Sequence, residues 1–130
     1  IADATADEIK RLGLHKVGLM GTPFTMGQDF YKGRLRDKHG IEVIVPQESE
    51  WNEIYRVIQE ELTFGILKDE SRKYFLSVIE ELRSRGAEGV ILGCTEIPML
   101  IKQTDTDLPV LDTTALHAMA AVRLAEELDK

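Results

Sequence analysis

Gly89-Val90-Ile91-Leu92-Gly93-Cys94-Thr95-Glu96-Ile97-Pro98 is a short apolar run, closed by a glycine, that empties into a polar turn and a helix start. Three aliphatic residues with no polar alternation are what a strand covered on both faces needs, and such strands belong to parallel sheets. Other segments repeat the pattern. Upstream, Lys16 to Gly21 sets Val17, Leu19 and Met20 ahead of the breaker Gly21-Thr22-Pro23. Glu42 to Val45 has three β-branched residues in a row before Pro46, again read as buried on both faces. Downstream, Leu108 to Leu111 opens at Pro109 and closes at Asp112. The gaps between these runs accommodate helical crossovers. The expected fold is therefore α/β: an open four-stranded parallel sheet of order 2-1-3-4, flavodoxin-like, with helices on both faces.

The helices are legible from their apolar faces. Trp51, Ile54, Val57, Ile58 and Leu62 follow the i, i+3, i+4 rule, as do Phe75, Val78, Ile79 and Leu82 in a helix that starts at Asp69 as N-cap and stops at Gly86. A first helix covers about Asp3 to Leu12, and a last one covers Thr114 to Leu128 with Leu116, Met119, Ala120, Leu124 and Leu128 on one stripe. Phe24 to His39 is read as one helix, weakened by roughly 1 kcal/mol at each of Gly27 and Gly33.

Composition narrows the function. The chain has 130 residues, 43% of them hydrophobic and 30% charged, which suits one folded domain and excludes disorder as the main state. Acidic residues outnumber basic ones 23 to 16, for a net charge of -7, so the overall field repels phosphate backbones and anionic lipid. Neither nucleic acid nor a membrane is an expected partner. The single cysteine, Cys94, can form no internal disulfide, and no transmembrane run or targeting segment is visible, so a reducing cytoplasm is the expected compartment. The chain opens Ile1-Ala2-Asp3 rather than with Met, which reads as a cleavage point, a boundary of an expressed piece or the edge of something longer.

Ligands of open α/β sheets bind outside the carboxyl ends of the strands, so the turns there are the candidate sites. Gly21-Thr22-Pro23-Phe24-Thr25 offers hydroxyls and free amides to a carboxylate, although Thr22 or Thr25 serves equally as an ordinary helix cap. Pro46-Gln47 offers little. Asp112-Thr113-Thr114 is another polar turn that a cap explains as well. Chemistry concentrates after the third strand. Cys94 lies between a strand and a helix start, where the positive helix end would lower the thiol pKa and favour a nucleophile or proton-transfer base. The competing reading is a small buried hydrophobe. Glu96 could orient the thiol or exchange protons with it, or simply complement the helix dipole. His117 follows the fourth strand end and could face the site or the surface; His15 and His39 lie at the opposite strand edges. No cluster has metal-ligand spacing, and neither a Walker lysine nor G-x-G-x-x-G is present.

Gly86-Ala87-Glu88-Gly89-Val90-Ile91-Leu92-Gly93-Cys94-Thr95-Glu96-Ile97 resembles the second cysteine motif of the aspartate/glutamate racemase family, and Thr25-Met26-Gly27-Gln28-Asp29-Phe30-Tyr31 is also similar to its members. The likeness runs over essentially all 130 residues. Related glutamate racemases usually carry His where this chain has Glu96, which places the resemblance nearer the aspartate racemase branch. The resemblance implies a cofactor-independent racemase of aspartate or glutamate, built of two similar α/β lobes with the site between them and one cysteine from each. In that scheme one thiolate removes the α-proton and the opposing thiol returns a proton to the other face. By motif, Cys94 is the acid/base of the second lobe, Glu96 assists it, Thr95 with its neighbouring amides holds the substrate α-carboxylate, and Thr22 and Thr25 line the same cleft. No cofactor or metal is implied.

A first lobe with its own cysteine motif is absent from this sequence. Residues 1–130 would accordingly form the second, C-terminal lobe, inactive alone by the two-base route, with 113–130 a helix that in the family packs on the first lobe. Here that helix would cover its own sheet, pack on another copy or hang loose. The family also implies a homodimer. Decarboxylases and isomerases of the same superfamily are an alternative, the decarboxylases working with one cysteine at this position, and a non-catalytic carboxylate-binding domain is another.

Overall fold

The computed structural model describes residues 2–27 and 29–128. In chain order these form α1 (Ala2–Arg11), β1 (Lys16–Met20), α2 (Pro23–Gly27), α3 (Asp29–His39), β2 (Glu42–Ile44), α4 (Glu48–Glu60), α5 (Asp69–Ser84), β3 (Val90–Leu92), α6 (Ile97–Leu100), β4 (Val110–Asp112) and α7 (Thr113–Leu128). Single 3-10 turns occur at Leu62–Phe64 and Gln103–Asp105. The strands make one parallel sheet of order β2-β1-β3-β4, the order expected from the sequence. Its register sets Met20, Leu92 and Asp112 at one level, so β1, β3 and β4 end together and their following turns are neighbours.

Side chains alternate across a strand, and the apolar runs thus feed two cores. Val17, Leu19, Ile91 and Leu111 pack with Ala6 and Ile9 of α1 and Leu35 of α3 on one face. Met20, Val90 and Leu92 pack with α4, α5 and α6 on the other, around the fully buried Phe75, Ile79 and Leu82. Gly18 permits the close approach of α5, because a β-carbon there would lie 2.8 Å from Leu82 Cδ1.

Several boundaries correct the sequence reading. Phe24 to His39 is two helices rather than one, and the first ends at Gly27, which lies against the Trp51 ring of α4. β2 is an edge strand with β1 as its only neighbour. Glu42 is therefore exposed and Val43 and Ile44 are half-buried, not covered on both faces. The residue preceding α5 is Lys68; Asp69 already belongs to the helix and binds Arg72 at 2.6 Å instead of capping an amide. Gly86, in the left-handed region at φ 104°, lies just past the end of α5. β4 begins at Val110 rather than Leu108, because the preceding segment is folded around Gln103: its Nε2 donates to the Leu108 carbonyl at 2.7 Å and its Oε1 accepts the Val110 amide at 2.8 Å.

α7 lies beside α1. Leu116 joins the α1/α3 core and Met119 is 50% exposed, so the expected stripe is only partly used; the side chains of Ala120, Leu124 and Leu128 are outside the described residues. Gln28 of the second resembling stretch, Ile1 and the last two residues of the chain are outside them as well. No helix among the described residues is long and apolar enough to cross a membrane.

Candidate active site

The turns after β1 and β3 touch. The Gly93 amide donates to the Met20 carbonyl at 2.8 Å, continuing the sheet one residue past β3. A β-carbon at Gly93 would lie 3.2 Å from Leu19 Cδ1, 3.2 Å from Thr25 Cγ2 and 3.3 Å from the Met20 carbonyl oxygen. Glycine here lets the Thr25 methyl rest on the backbone of the β3 turn, directly beside Cys94, without displacing its neighbours. Thr22 caps α2 from the other side: its Oγ1 accepts the Thr25 amide at 3.3 Å and stands 3.2 Å from the Thr25 hydroxyl. Both threonines are half-buried, so capping and lining the turn are compatible roles.

Cys94 is half-buried and donates its thiol hydrogen to Glu96 Oε2 at 2.7 Å. That contact decides the electrostatics. Burial first, and then the hydrogen bond to a carboxylate, push the thiol up to about 11. The amides of Glu96 and Ile97 pull it the other way without prevailing. The lowering expected from a helix N-terminus does not occur, because α6 is a single turn of four residues and its first amides face a thiol already tied to an anion. Glu96 is held below the usual carboxylate range, chiefly by the Cys94 thiol and secondarily by the Thr95 hydroxyl. At neutral pH the pair is a thiol and a carboxylate, with the proton on sulfur. Thr95 is exposed and Glu96 half-buried, so the hydroxyl and carboxylate are open to a small ligand.

Asp112 spans the fourth strand end as a cap: its Oδ1 accepts the amides of Thr114 and Ala115 at 3.0 and 3.2 Å. Thr113 is buried and donates to the Leu92 carbonyl at 3.2 Å. His117 is exposed on α7 and, among the described residues, hydrogen-bonds to none of the candidates. A cavity of about 430 Å³ lies elsewhere, between α1, β4 and the start of α7, and is lined by none of Thr22, Thr25, Cys94, Thr95 or Glu96. Of the candidate residues Thr95 is exposed and Thr22, Thr25, Cys94 and Glu96 are half-buried. Among the described residues no group of three or more His, Cys, Asp or Glu side chains could hold a metal ion.

With this geometry in view, the sequence profile of the Asp/Glu/Hydantoin racemase family matches residues 1–121. The chain belongs to that family. Solved structures of similar fold include a candidate Asp/Glu racemase from Yersinia pestis, 50% identical with a TM-score of 0.90 over 95% of this chain and 54% of that one. An aspartate racemase homologue from Pyrococcus horikoshii is 45% identical, with a TM-score of 0.90 over 96% of this chain and 54% of its own. An aspartate racemase from Picrophilus torridus is 26% identical, with a TM-score of 0.70 over 92% and 51%. An uncharacterised protein from the pnlA 3′ region of Pectobacterium carotovorum subsp. carotovorum is 29% identical over 104 residues, 79% of this chain and 67% of that one. The chain spans about half the length of the solved relatives.

One contact of this racemase-family site escaped the sequence reading. Arg72, in the first turn of α5, donates from Nε to the Leu100 carbonyl at 3.0 Å, at the far end of α6 from Cys94. A separation of 28 residues and an unremarkable exposed-face position in the helix pattern leave no sequence signal for it.

Proposed function

We propose that the chain is one lobe, the second, of a cofactor-independent aspartate or glutamate racemase, with Cys94 as one of two opposed proton-transfer groups. The observation that supports this most is the Cys94–Glu96 pair at 2.7 Å on the turn after β3, against Thr25 of the β1 turn. Family membership supplies the reaction class, and coverage of about half of each solved relative is consistent with a single lobe.

The resting protonation state gives Cys94 a definite half of the reaction. A base on the other lobe takes the α-proton, the C–H electron pair stays on the α-carbon, and the Cys94 thiol delivers its proton to the opposite face. In the reverse direction Cys94 must act as thiolate. A substrate ammonium within a few ångströms would favour that form, since a nearby cation stabilises the charged state. The hydroxyls of Thr95, Thr22 and Thr25 and the amides following Cys94 would hold the α-carboxylate, which must carry much of the barrier reduction where no electron sink assists. Glu96 positions the thiol by accepting its hydrogen bond, and the Cys94 thiolate left after donation regains its proton from solvent or from the α-carbon of a substrate turned over in the reverse direction. The whole protein is proposed to be a cytoplasmic homodimer.

Alkylation of Cys94 at pH 9 in the whole protein that carries this chain, located by peptide mass spectrometry, in the presence and absence of aspartate or glutamate tests the proposed site. Protection by either amino acid at millimolar concentration is the expected result. An alkylation rate unchanged by both would overturn the assignment and favour a binding-silent scaffold. Reaction speed alone does not separate the two, because burial and Glu96 slow this thiol whatever its role.

A further inference from the structure

α6 is too short to hold itself. A single turn has room for very few internal hydrogen bonds, the one from the Ile101 amide to the Ile97 carbonyl among them, and its last carbonyls lack helical partners. Its placement depends on tertiary anchors at both ends. At the start, Gly93 is pinned to β1 through the Met20 carbonyl; within the turn, Ile97 and Leu100 are fully buried. At the finish, the Leu100 carbonyl receives the part-buried Arg72 Nε at 3.0 Å, while Arg72 Nη1 is braced by Asp69 at 2.6 Å. Toward its start the Ile97 amide meets the Cys94 side chain, so Arg72 is the side chain that holds the opposite end of the turn.

Beneath Arg72 lies a second tie. Ser71, 4% exposed, donates to Glu61 Oε1 at 2.6 Å, and Glu61, also 4% exposed, accepts Arg56 at Oε2. This pair fastens the end of α4 to α5 and makes no hydrogen bond to α6, although the Leu62–Phe64 turn that follows Glu61 packs against α6, so Ser71 controls for the hydrogen bond of Arg72 rather than for packing.

We propose that Arg72 is a positioning residue for the Cys94 turn: by capping the Leu100 carbonyl it fixes α6, and through α6 the amides and Glu96 carboxylate that surround the thiol. Arg72 touches neither Cys94 nor Glu96 by hydrogen bond; it acts over the length of one helical turn. The proposal rests on Cys94 being the reactive group of the site, but it concerns the geometry around the thiol and is read without any turnover.

The test is the pH dependence of Cys94 alkylation in the 130-residue chain, which has no other thiol to confuse the signal. Arg72→Ala loosens α6, admits water to Cys94 and weakens its bond to Glu96, so the titration midpoint falls and the rate at pH 8 rises. A fall of one pH unit multiplies the thiolate population below the midpoint by about ten. Arg72→Lys, whose ammonium can still donate to the Leu100 carbonyl, restores most of the original midpoint. Ser71→Ala lowers the melting temperature but leaves the Cys94 midpoint in place. Should Arg72→Ala fail to fold, Arg72→Gln, which keeps an N–H donor on a shorter stem, carries the same comparison, with a smaller fall in the midpoint. An unchanged midpoint in Arg72→Ala or Arg72→Gln, or an equal fall in Ser71→Ala, would overturn the proposal. Loss of amino-acid protection in wild type would instead overturn the racemase reading and leave this one standing.

Discussion

Replacing Glu96 by Gln isolates the pair on which the site's chemistry turns. In the structure the thiol stands at about 11 against 9.0 for an unperturbed cysteine, with burial the larger cause and the Glu96 carboxylate the second. Glu96→Gln removes the charge and the anionic acceptor but leaves the burial. The midpoint must therefore fall below about 11, by an extent set by burial working against the amides of Glu96 and Ile97. At pH 8 both forms are mostly protonated, so each unit of fall raises the thiolate population, and with it the alkylation rate, about tenfold. Absorbance at 240 nm during a pH titration, checked by alkylation rates, reads the midpoint directly because there is a single thiol. A midpoint that stays near 11 or rises would refute the reasoning, showing that the carboxylate does not hold the proton on sulfur.

Other perturbations follow from the same contacts. Gly93→Ala places a β-carbon 3.2–3.3 Å from Leu19, Thr25 and the Met20 carbonyl, so it should cost about 1–3 kcal/mol and lower the melting temperature by several degrees, measured by calorimetry. Leu82→Ala empties a fully buried position against Gly18 and should cost about 2–5 kcal/mol in denaturant unfolding. Glu88 accepts the His15 and Lys16 amides at 2.8 and 3.0 Å and is held below the usual carboxylate range by them, as Glu96 is by Cys94 and Thr95. Both folded pKa values lie under the unfolded ones, so this stabilisation is complete above the unfolded carboxylate range and is lost as pH falls; the stability gap between wild type and Glu88→Gln should close on acidification. For Cys94 the sign reverses: its folded pKa is raised, the contribution is complete below 9.0 and disappears as pH climbs toward 11, and Cys94→Ala should flatten that alkaline limb.

The sheet was legible because its central strands are aliphatic runs bounded by glycine and proline: Val90-Ile91-Leu92 and Val17 to Met20 occupy the positions their patterns demand. β2 misled because three β-branched residues record a preference for a pleated surface, not how many neighbours the strand has. The split at Gly27 was announced by the glycine but decided by the Trp51 ring packing on it. At the site, the placement of Cys94, Glu96, Thr22 and Thr25 on adjacent turns could be read from strand ends alone. The sign of the thiol's shift could not, because it depends on a 2.7 Å contact and on burial that sequence spacing does not specify. Arg72 was equally hidden, its role resting on a backbone carbonyl that any residue could supply.

The central claim, that Cys94 moves the α-proton of an amino acid, is tested most directly by proton NMR of aspartate and glutamate incubated in D2O with the whole protein that carries this chain. The account predicts loss of the α-proton signal of one or both, with deuterium incorporated, and no loss with Cys94→Ser. Exchange that persists undiminished in Cys94→Ser would contradict it.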